Sequence, residues 1–423
     1  MGNSQLLVVS FVFPPFPGVG GRRWAKFSKY LAKKEIKVHV VHSKNPYPKK
    51  STYLLDIVNS NIVTYPLNPR FPNYAPISFF DKIKTRIVTK YIQFYTKGNF
   101  YDRSLFWKKY FENEIPQIIE KNKIETVIIS GGPFHYFIYG LQLQKKYPNI
   151  KFYFEYRDPW ADFNVGYDDP RVGKGARYEY EKQLEISFLK EAKNVICVSD
   201  FQKQLLVQKD KQINSDKIIV IPNGFDKDDF AGYNKFAENT EKDVLKIIHV
   251  GTLNYEKADL FIPFLKAVTE FNSTENKLKV KVEFIGPVNS ELMQFLDENK
   301  NSSEFIKVYG ELSHFEANKK LMEADIALWF KYDRSPGDFA TKYFEYIYLR
   351  KFIWVFSKDG EATQFIENNK IGKAFTDKKV LESNVLETLS QYEVQKPLFH
   401  KEFDSEKFSI ENITEKIISI VKK

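Results

Sequence analysis

The alternation of strands and helices in this chain runs once and then starts again. Apolar runs at 5–13, 38–42, 126–130, 151–155, 194–198 and 217–221 read as strands, spaced by helical segments. A polar tract at 222–243, opened by the turn Pro222-Asn-Gly-Phe-Asp226, reads as a linker. The pattern resumes with strand runs at 244–251, 279–285, 305–309, 326–329 and 352–356. Repeated β-α alternation is the mark of a parallel sheet covered by helices. Having it twice, in 423 residues, predicts an α/β fold of two doubly wound, parallel-sheet, Rossmann-like domains. Such sheets bind ligands at the carboxyl ends of their strands, so a cleft faced by both domains is the expected site. The expected boundaries are 1–225, 226–404 and a last amphipathic helix in 405–423, with Phe408, Ile413, Ile417 and Ile418 apolar. Residues 46–120 fall outside the alternation and read as a mainly helical insertion in the first domain.

The composition narrows the partners. Net charge is +10, which points to an acidic partner: nucleic acid, anionic lipid or a phosphorylated small molecule. Acidic residues are dispersed along the chain, which argues against nucleic acid. No apolar run approaches the length of a membrane span. The start of the chain lacks a basic region ahead of its apolar run, and Cys197 is the single cysteine. A reducing, cytoplasmic setting is expected. Between 82 and 110 the excess is local: Lys82, Lys84, Arg86, Lys90, Lys97, Arg103, Lys108 and Lys109 stand against Asp102 alone. Tyr91, Phe94, Tyr95, Phe100, Tyr101, Phe106, Trp107 and Tyr110 are interleaved with them. Rings between cations suit an anionic membrane surface. They equally suit a helical excursion whose rings pack on their own domain.

Several strand-to-helix loops carry candidate chemistry. Gly18-Val-Gly-Gly-Arg-Arg-Trp24 follows the first strand and opens a helix over 22–34, with Trp24, Phe27 and Leu31 on one face. Glycines there let backbone amides approach an anion, although neither dinucleotide nor Walker spacing is present. Glu155-Tyr-Arg-Asp-Pro-Trp160 ends a strand and places Arg157 and Asp158 at its carboxyl end; a local salt bridge and a Pro-Trp plug would explain it equally. Gly251-Thr-Leu-Asn-Tyr-Glu-Lys257 opens the second domain's first loop and carries Lys257 towards the next helix. In Ser335-Pro-Gly-Asp-Phe-Ala-Thr-Lys-Tyr-Phe-Glu-Tyr346, Lys342 and Glu345 share one helical face. An ordinary surface charge pair would look the same. Ser313 and Glu316 form a capping box with no functional content. Asp226-Lys-Asp228 is turn chemistry, and the six histidines show no metal-ligand spacing.

Together these motifs make the chain resemble the GT-B fold nucleotide-sugar glycosyltransferases of family 4. The resemblance rests on Pro14-Pro15 with Gly20-Gly21-Arg22-Arg23-Trp24, on Arg157-Asp158-Pro159-Trp160, on Ile221 to Asp226, on Gly251 to Lys257, and on Thr341-Lys342-Tyr343-Phe344-Glu345-Tyr346. It implies an acceptor-binding first domain and a donor-binding second domain, with the final helix crossing back to the first. By position, Glu345 resembles the residue that grips the donor ribose, and Lys257 the lysine on the donor diphosphate. Gly20, Gly21, Arg22, Gly251, Thr252, Gly337, Asp338, Thr341 and Lys342 complete the implied donor side. Arg157, Asp158 and His135 form the implied acceptor side, and Lys257, Lys342 and Asp158 the implied catalytic set. Gly337 and Thr252 stand where the family often has an acidic residue and an arginine.

The implied reaction is transfer of a sugar from a UDP- or GDP-linked donor to a glycan or lipid-linked glycan acceptor, in polysaccharide or glycoconjugate synthesis. Retention of anomeric configuration is implied, with no metal and no cofactor, at the inner face of the membrane. Two other readings stay open: a sugar-nucleotide epimerase on the same fold, and a non-enzymatic basic binding protein.

Overall fold

The computed structural model describes residues 4–422, except 46, 48–49, 71–77, 96–101, 163–175, 233–238, 240, 242, 254–257 and 332–338. The chain divides into two compact units: residues 1–223 with 410–423, and residues 224–409.

The first unit begins with β1 (Gln5–Ser10), α1 (Arg22–Lys33), β2 (Lys37–Ser43), β3 (Ile62–Leu67), α2 (Phe79–Tyr95), α3 (Lys108–Glu112) and α4 (Glu114–Lys121). It continues with β4 (Thr126–Ser130), α5 (Tyr136–Lys146), β5 (Lys151–Tyr156), α6 (Ala176–Glu191), β6 (Val195–Cys197), α7 (Asp200–Gln208) and β7 (Ile218–Val220). The seven strands form one sheet in the order β3-β2-β1-β4-β5-β6-β7, and every pairing is parallel. Successive side chains of a strand point to opposite faces. Leu7 and Val9 of β1 therefore join Trp107, Phe137 and Phe188 on one side, while Leu6 and Val8 join Trp24, Phe27 and Leu31 on the other. Both faces are covered, which is why β1 and β4 read as continuous apolar runs.

The second unit holds β8 (Val244–Val250), α8 (Ala258–Ser273), β9 (Lys279–Ile285), α9 (Ser290–Glu298), β10 (Ile306–Val308), α10 (His314–Glu323) and β11 (Ile326–Phe330). After these come α11 (Thr341–Tyr348), β12 (Phe352–Phe356), α12 (Glu361–Asn368), β13 (Gly372–Phe375) and α13 (Leu381–Val394). Its sheet is again parallel, in the order β10-β9-β8-β11-β12-β13. The chain closes with α14 (Ile410–Lys422), which packs in the first unit. There Ile410, Ile413, Ile417, Ile418, Ile420 and Val421 share a core with Trp24 and Phe27. Six buried aliphatic side chains are worth roughly 10 kcal/mol of gross hydrophobic stabilisation.

The mainly helical insertion expected at 46–120 needs correction. Ile62–Leu67 is the edge strand β3, paired with β2 from Val38↔Ile62 to Ser43↔Leu67. Pro66 is tolerated there because an edge strand has one side without a partner strand. Trp107, Tyr110, Phe111, Ile115, Ile118 and Ile119 belong to the unit's own core. The rings between 82 and 110 thus divide: Trp107 and Tyr110 are buried, whereas Tyr91 and Phe94 are exposed. Lys97, Phe100 and Tyr101 lie outside the described residues.

Candidate functional site

In the first unit the loops at the carboxyl ends of β1, β4 and β5 are tied together by one side chain. Arg157 follows β5, and its guanidinium donates from Nε to the carbonyl of Gly131 (2.9 Å) and from Nη2 to that of Gly132 (2.9 Å). Nη1 donates to the carbonyl of Gly20, in the turn before α1. Three of its five donors are thus committed to backbone. Asp158 is half-buried, and its Oδ2 lies 3.7 Å from where a Cβ on Gly132 would sit. Trp160 is buried and stacks on Phe134 at 5.8 Å between centroids.

His135 caps the start of α5. Asp102 Oδ2 accepts from the amides of Phe134 (2.9 Å) and His135 (2.7 Å), and Ser104 Oγ accepts from the amide of Tyr136 (3.0 Å). The positive end of this helix is therefore already met by a carboxylate. The His135 ring lies edge-on to Tyr139, and its Nδ1 is buried with no hydrogen-bond partner. Burial pulls the imidazole below its ordinary pKa, against the opposing charge of Asp102, so the ring is neutral at pH 7.

Behind these loops runs a buried ionic network. Glu155 is 1% exposed; it accepts from Arg23 Nε (2.9 Å) and from Trp24 Nε1 (2.6 Å). Arg23 also donates to the carbonyls of Ile221 and Pro222, each at 2.8 Å, and to Asn223 Oδ1 at 3.0 Å. Four of the five N–H donors of the guanidinium are used, which offsets the cost of keeping such a pair buried. Gly20, Gly21 and Arg22 stand directly beside this network, with Arg22 itself buried. A Cβ on Gly21 would lie 3.3 Å from Phe13 and Pro14, so that turn presses against the exit of β1.

The second unit gathers a different set. Gly251, at the end of β8, has φ +140 and donates its amide to the carbonyl of Ile285 at 2.8 Å. Gly286, at the end of β9, has φ +116, and a Cβ there would fall 2.6 Å from the Gly251 oxygen. Only glycine permits both the dihedrals and this approach. Thr252 is exposed and Leu253 buried, with the Leu253 amide on the carbonyl of Pro287 at 2.9 Å. Helix α11 is anchored to this edge. The hydroxyl of buried Tyr346 faces the backbone of Val250, and Tyr343 packs edge-on against Trp329 at 5.1 Å. Thr341 is the first residue of α11 and Ala340 its cap, with no side-chain capping bond. Lys342 and Glu345 follow on one face. Glu345 is buried. Burial lowers the pKa of Lys342, and the charge of Glu345 partly offsets this.

Residues 20–229 match the family model of Glycosyltransferase Family 4. Solved structures share the fold over the full length. A glycosyltransferase from Rickettsia africae aligns at 17% identity and TM-score 0.62, covering 100% of this chain and 98% of that one. Anabaena HepE, solved with UDP and glucose, aligns at 11% identity and TM-score 0.60, covering 99% of each chain. The lipopolysaccharide outer core galactosyltransferase WaaB gives the same values, 11%, 0.60 and 99% of each. The chain has the GT-B fold of these glycosyltransferases. Its N-terminal half carries the family 4 signature. A comparison with curated protein sequences gives no match.

Within this GT-B fold the expected site residues fall into two groups. Gly20, Gly21, Arg22, His135, Arg157 and Asp158 cluster at strand ends of the first unit. Gly251, Thr252, Thr341, Lys342 and Glu345 cluster in the second. Lys257, Gly337 and Asp338 lie outside the described residues. Arg157 holds the carbonyls of Gly20, Gly131 and Gly132 and so braces the loops that carry Asp158 and His135. Glu345 is buried, unlike the surface charge that a helix reading allows. Among the described residues, no group of three or more His, Cys, Asp or Glu could hold a metal. Ser313 accepts from the Glu316 amide while Glu316 returns a bond to the Ser313 amide, the capping box read from sequence. Sequence reading missed the Arg23–Glu155–Trp24 network and the Asp102 cap. Their partners lie far apart in the chain, and only the isolated charges gave a signal.

Proposed function

We propose that the second unit binds a nucleoside-diphosphate sugar, and that the enzyme transfers its sugar to a glycan or lipid-linked glycan acceptor held by the first unit. The single observation that carries this reading is half-buried Lys342 and buried Glu345 on one face of α11, anchored through Tyr346 beside the Gly251 and Gly286 strand ends. Glu345 accepts hydrogen bonds from the donor ribose. Lys342, with Lys257 and the amides after Gly251, meets the diphosphate. In the first unit the reading assigns Asp158 and His135 to the acceptor, and Gly20, Gly21 and Arg22 to an anionic group of the substrates.

Transfer breaks the bond between the anomeric carbon and the phosphate oxygen, and negative charge grows on the departing diphosphate. Protein cations and amides, without a metal, stabilise that charge. One cation about 4 Å away at an effective dielectric of 20 contributes roughly 4 kcal/mol before desolvation. A lysine whose pKa is depressed by burial gains most from an anion arriving beside it, because the diphosphate restores its protonated form. The reaction retains anomeric configuration, with the departing phosphate accepting the acceptor's proton. HepE was solved with UDP, which makes UDP the first donor base to try.

The test is thermal stabilisation by UDP, GDP, ADP, CMP and their sugars, on wild type and Glu345→Ala. A ligand at 100 times its Kd stabilises by about 2.7 kcal/mol. One nucleotide is expected to stabilise wild type and not the variant. No stabilisation by any of them, or full stabilisation of Glu345→Ala, sinks the assignment.

A further inference from the structure

Helix α2 is amphipathic the wrong way round. Its start is set locally, with Ser78 Oγ accepting from the Asp81 amide at 3.1 Å. Phe80, Ile83, Ile87, Tyr91 and Phe94 recur at steps of three and four, which places them within an arc of about 80° at 3.6 residues per turn. In a helix that packs on its own domain this stripe would face the core. Here it is outside: Phe80 is 80% exposed, Ile87 62%, Tyr91 63% and Phe94 90%. The half-buried positions are Thr85, Val88 and Thr89, on the opposite side. Five large apolar side chains in one exposed stripe are a patch that needs an occupant.

The charges around the stripe say which one. Lys84 borders one edge, and Lys90 and Arg86 the other, while Lys82 lies on the far side; all four are exposed. Asp81 is the only acidic residue of the helix, and it is engaged at the helix start. A second copy of the chain laid on this stripe would bring two rows of cations together. A bilayer with anionic headgroups complements both parts, taking the rings and aliphatic groups at the acyl boundary and the cations at the headgroups. No helix among the described residues is long and apolar enough to cross a membrane, so a helix lying in the interface is the mode that fits.

We infer that α2 docks this protein on an anionic lipid surface through Phe80, Ile83, Ile87, Tyr91 and Phe94, with Lys84, Arg86 and Lys90 on phosphate headgroups. This goes beyond the proposed donor reaction and stands on a different unit and different residues.

The full chain is sedimented with vesicles of phosphatidylglycerol and phosphatidylcholine, and with vesicles of phosphatidylcholine alone. Each basic side chain near an anionic surface is worth about fivefold in partition. Wild type is expected to bind the anionic vesicles about 100-fold or more tightly than the neutral ones. Replacing Lys84, Arg86 and Lys90 together by Gln removes that preference. The triple change Phe80→Ser, Ile87→Ser, Phe94→Ser abolishes binding while leaving Tm and the nucleotide-induced stabilisation in place. Wild type that ignores anionic vesicles, or variants that bind as wild type does, overturn the inference. A wild-type dimer that the triple change converts to monomer also overturns it and assigns the stripe to a second copy. Nucleotide stabilisation is read on the same samples, so failure of the donor-site reading and failure of membrane docking are separable.

Discussion

Arg157 donates to the carbonyl oxygen of Gly20, a residue 137 positions earlier in the chain. With its bonds to Gly131 and Gly132, this single guanidinium fixes the relative positions of three strand-end loops. The side chain that family position suggests as an acceptor contact thus also braces these loops. Its planar fork suits several carbonyls at once, which an ammonium cannot match.

Replacement of Arg157 by alanine leaves three loop carbonyls without their partner, at a cost of about 2–4 kcal/mol. Arg157→Lys is expected to recover the charge and little of the stability. Both variants are expected to lower kcat while leaving nucleotide-induced stabilisation intact, because the proposed nucleotide site lies in the other unit. Urea titration alongside the thermal-shift panel checks this. An Arg157→Lys enzyme with wild-type stability and kcat contradicts the positioning role.

Gly286→Ala is expected to be among the most damaging single-methyl additions in the second unit. The backbone has φ +116, and the new Cβ would fall 2.6 Å from the Gly251 oxygen. Strain and clash together cost about 3 kcal/mol or more. Gly232→Ala is the control: its φ is +90, but nothing lies within 4 Å of the added carbon, so about 1 kcal/mol is expected from the dihedral alone. Denaturant midpoints for the two variants measure the difference. Equal costs would mean that the Gly251–Gly286 approach is not tight.

Lys342 predicts a pH dependence with a definite sign. Burial lowers its folded pKa below the ordinary lysine value. Between the folded pKa and about 10.4 the unfolded chain holds a proton that the folded chain does not. Folding is therefore penalised most below the folded pKa, and the penalty fades as pH rises through that window. Lys342→Met removes the penalty, so the Tm difference between variant and wild type should move in the wild type's favour from pH 7 to pH 10. The variant should also lose nucleotide-induced stabilisation at pH 7. A Tm difference that does not change with pH contradicts a buried, titrating Lys342.

The fold was largely legible because its signals are local. Buried parallel strands such as β1, β4 and β12 are apolar runs, and α1 shows its inner face in Trp24, Phe27 and Leu31. The elements that escaped are edge strands. β3 alternates half-buried and exposed positions and contains Pro66, while β13 is Gly372–Phe375, too short and too mixed to stand out. The site was legible only as a list of residues. The capping box at Ser313 could be read because both partners lie within one turn. The partners of Arg157 are carbonyl oxygens, which every residue has and no sequence pattern marks. Glu155 and Arg23 are 132 positions apart, and their union follows from neighbouring strand ends rather than from any spacing. Glu345 sits at the right helical interval from Lys342, but its burial depends on how α11 is anchored to β8.

The place of α14 has a consequence for the order in which the protein is made. The first unit comprises residues 1–223 and 410–423, so the second unit is synthesised between its two parts. Until the final turns emerge, the face of its sheet around Leu6, Val8 and Trp24 lacks Ile410, Ile413, Ile417, Ile418, Ile420 and Val421. The second unit, continuous in the chain, has all of its sheet strands before α14 is synthesised. Maturation therefore runs inward from the middle of the chain. A nascent polypeptide stalled before α14 would carry the complete sheet of the second unit while the first unit's sheet still has an open face, a species that chaperones recognise.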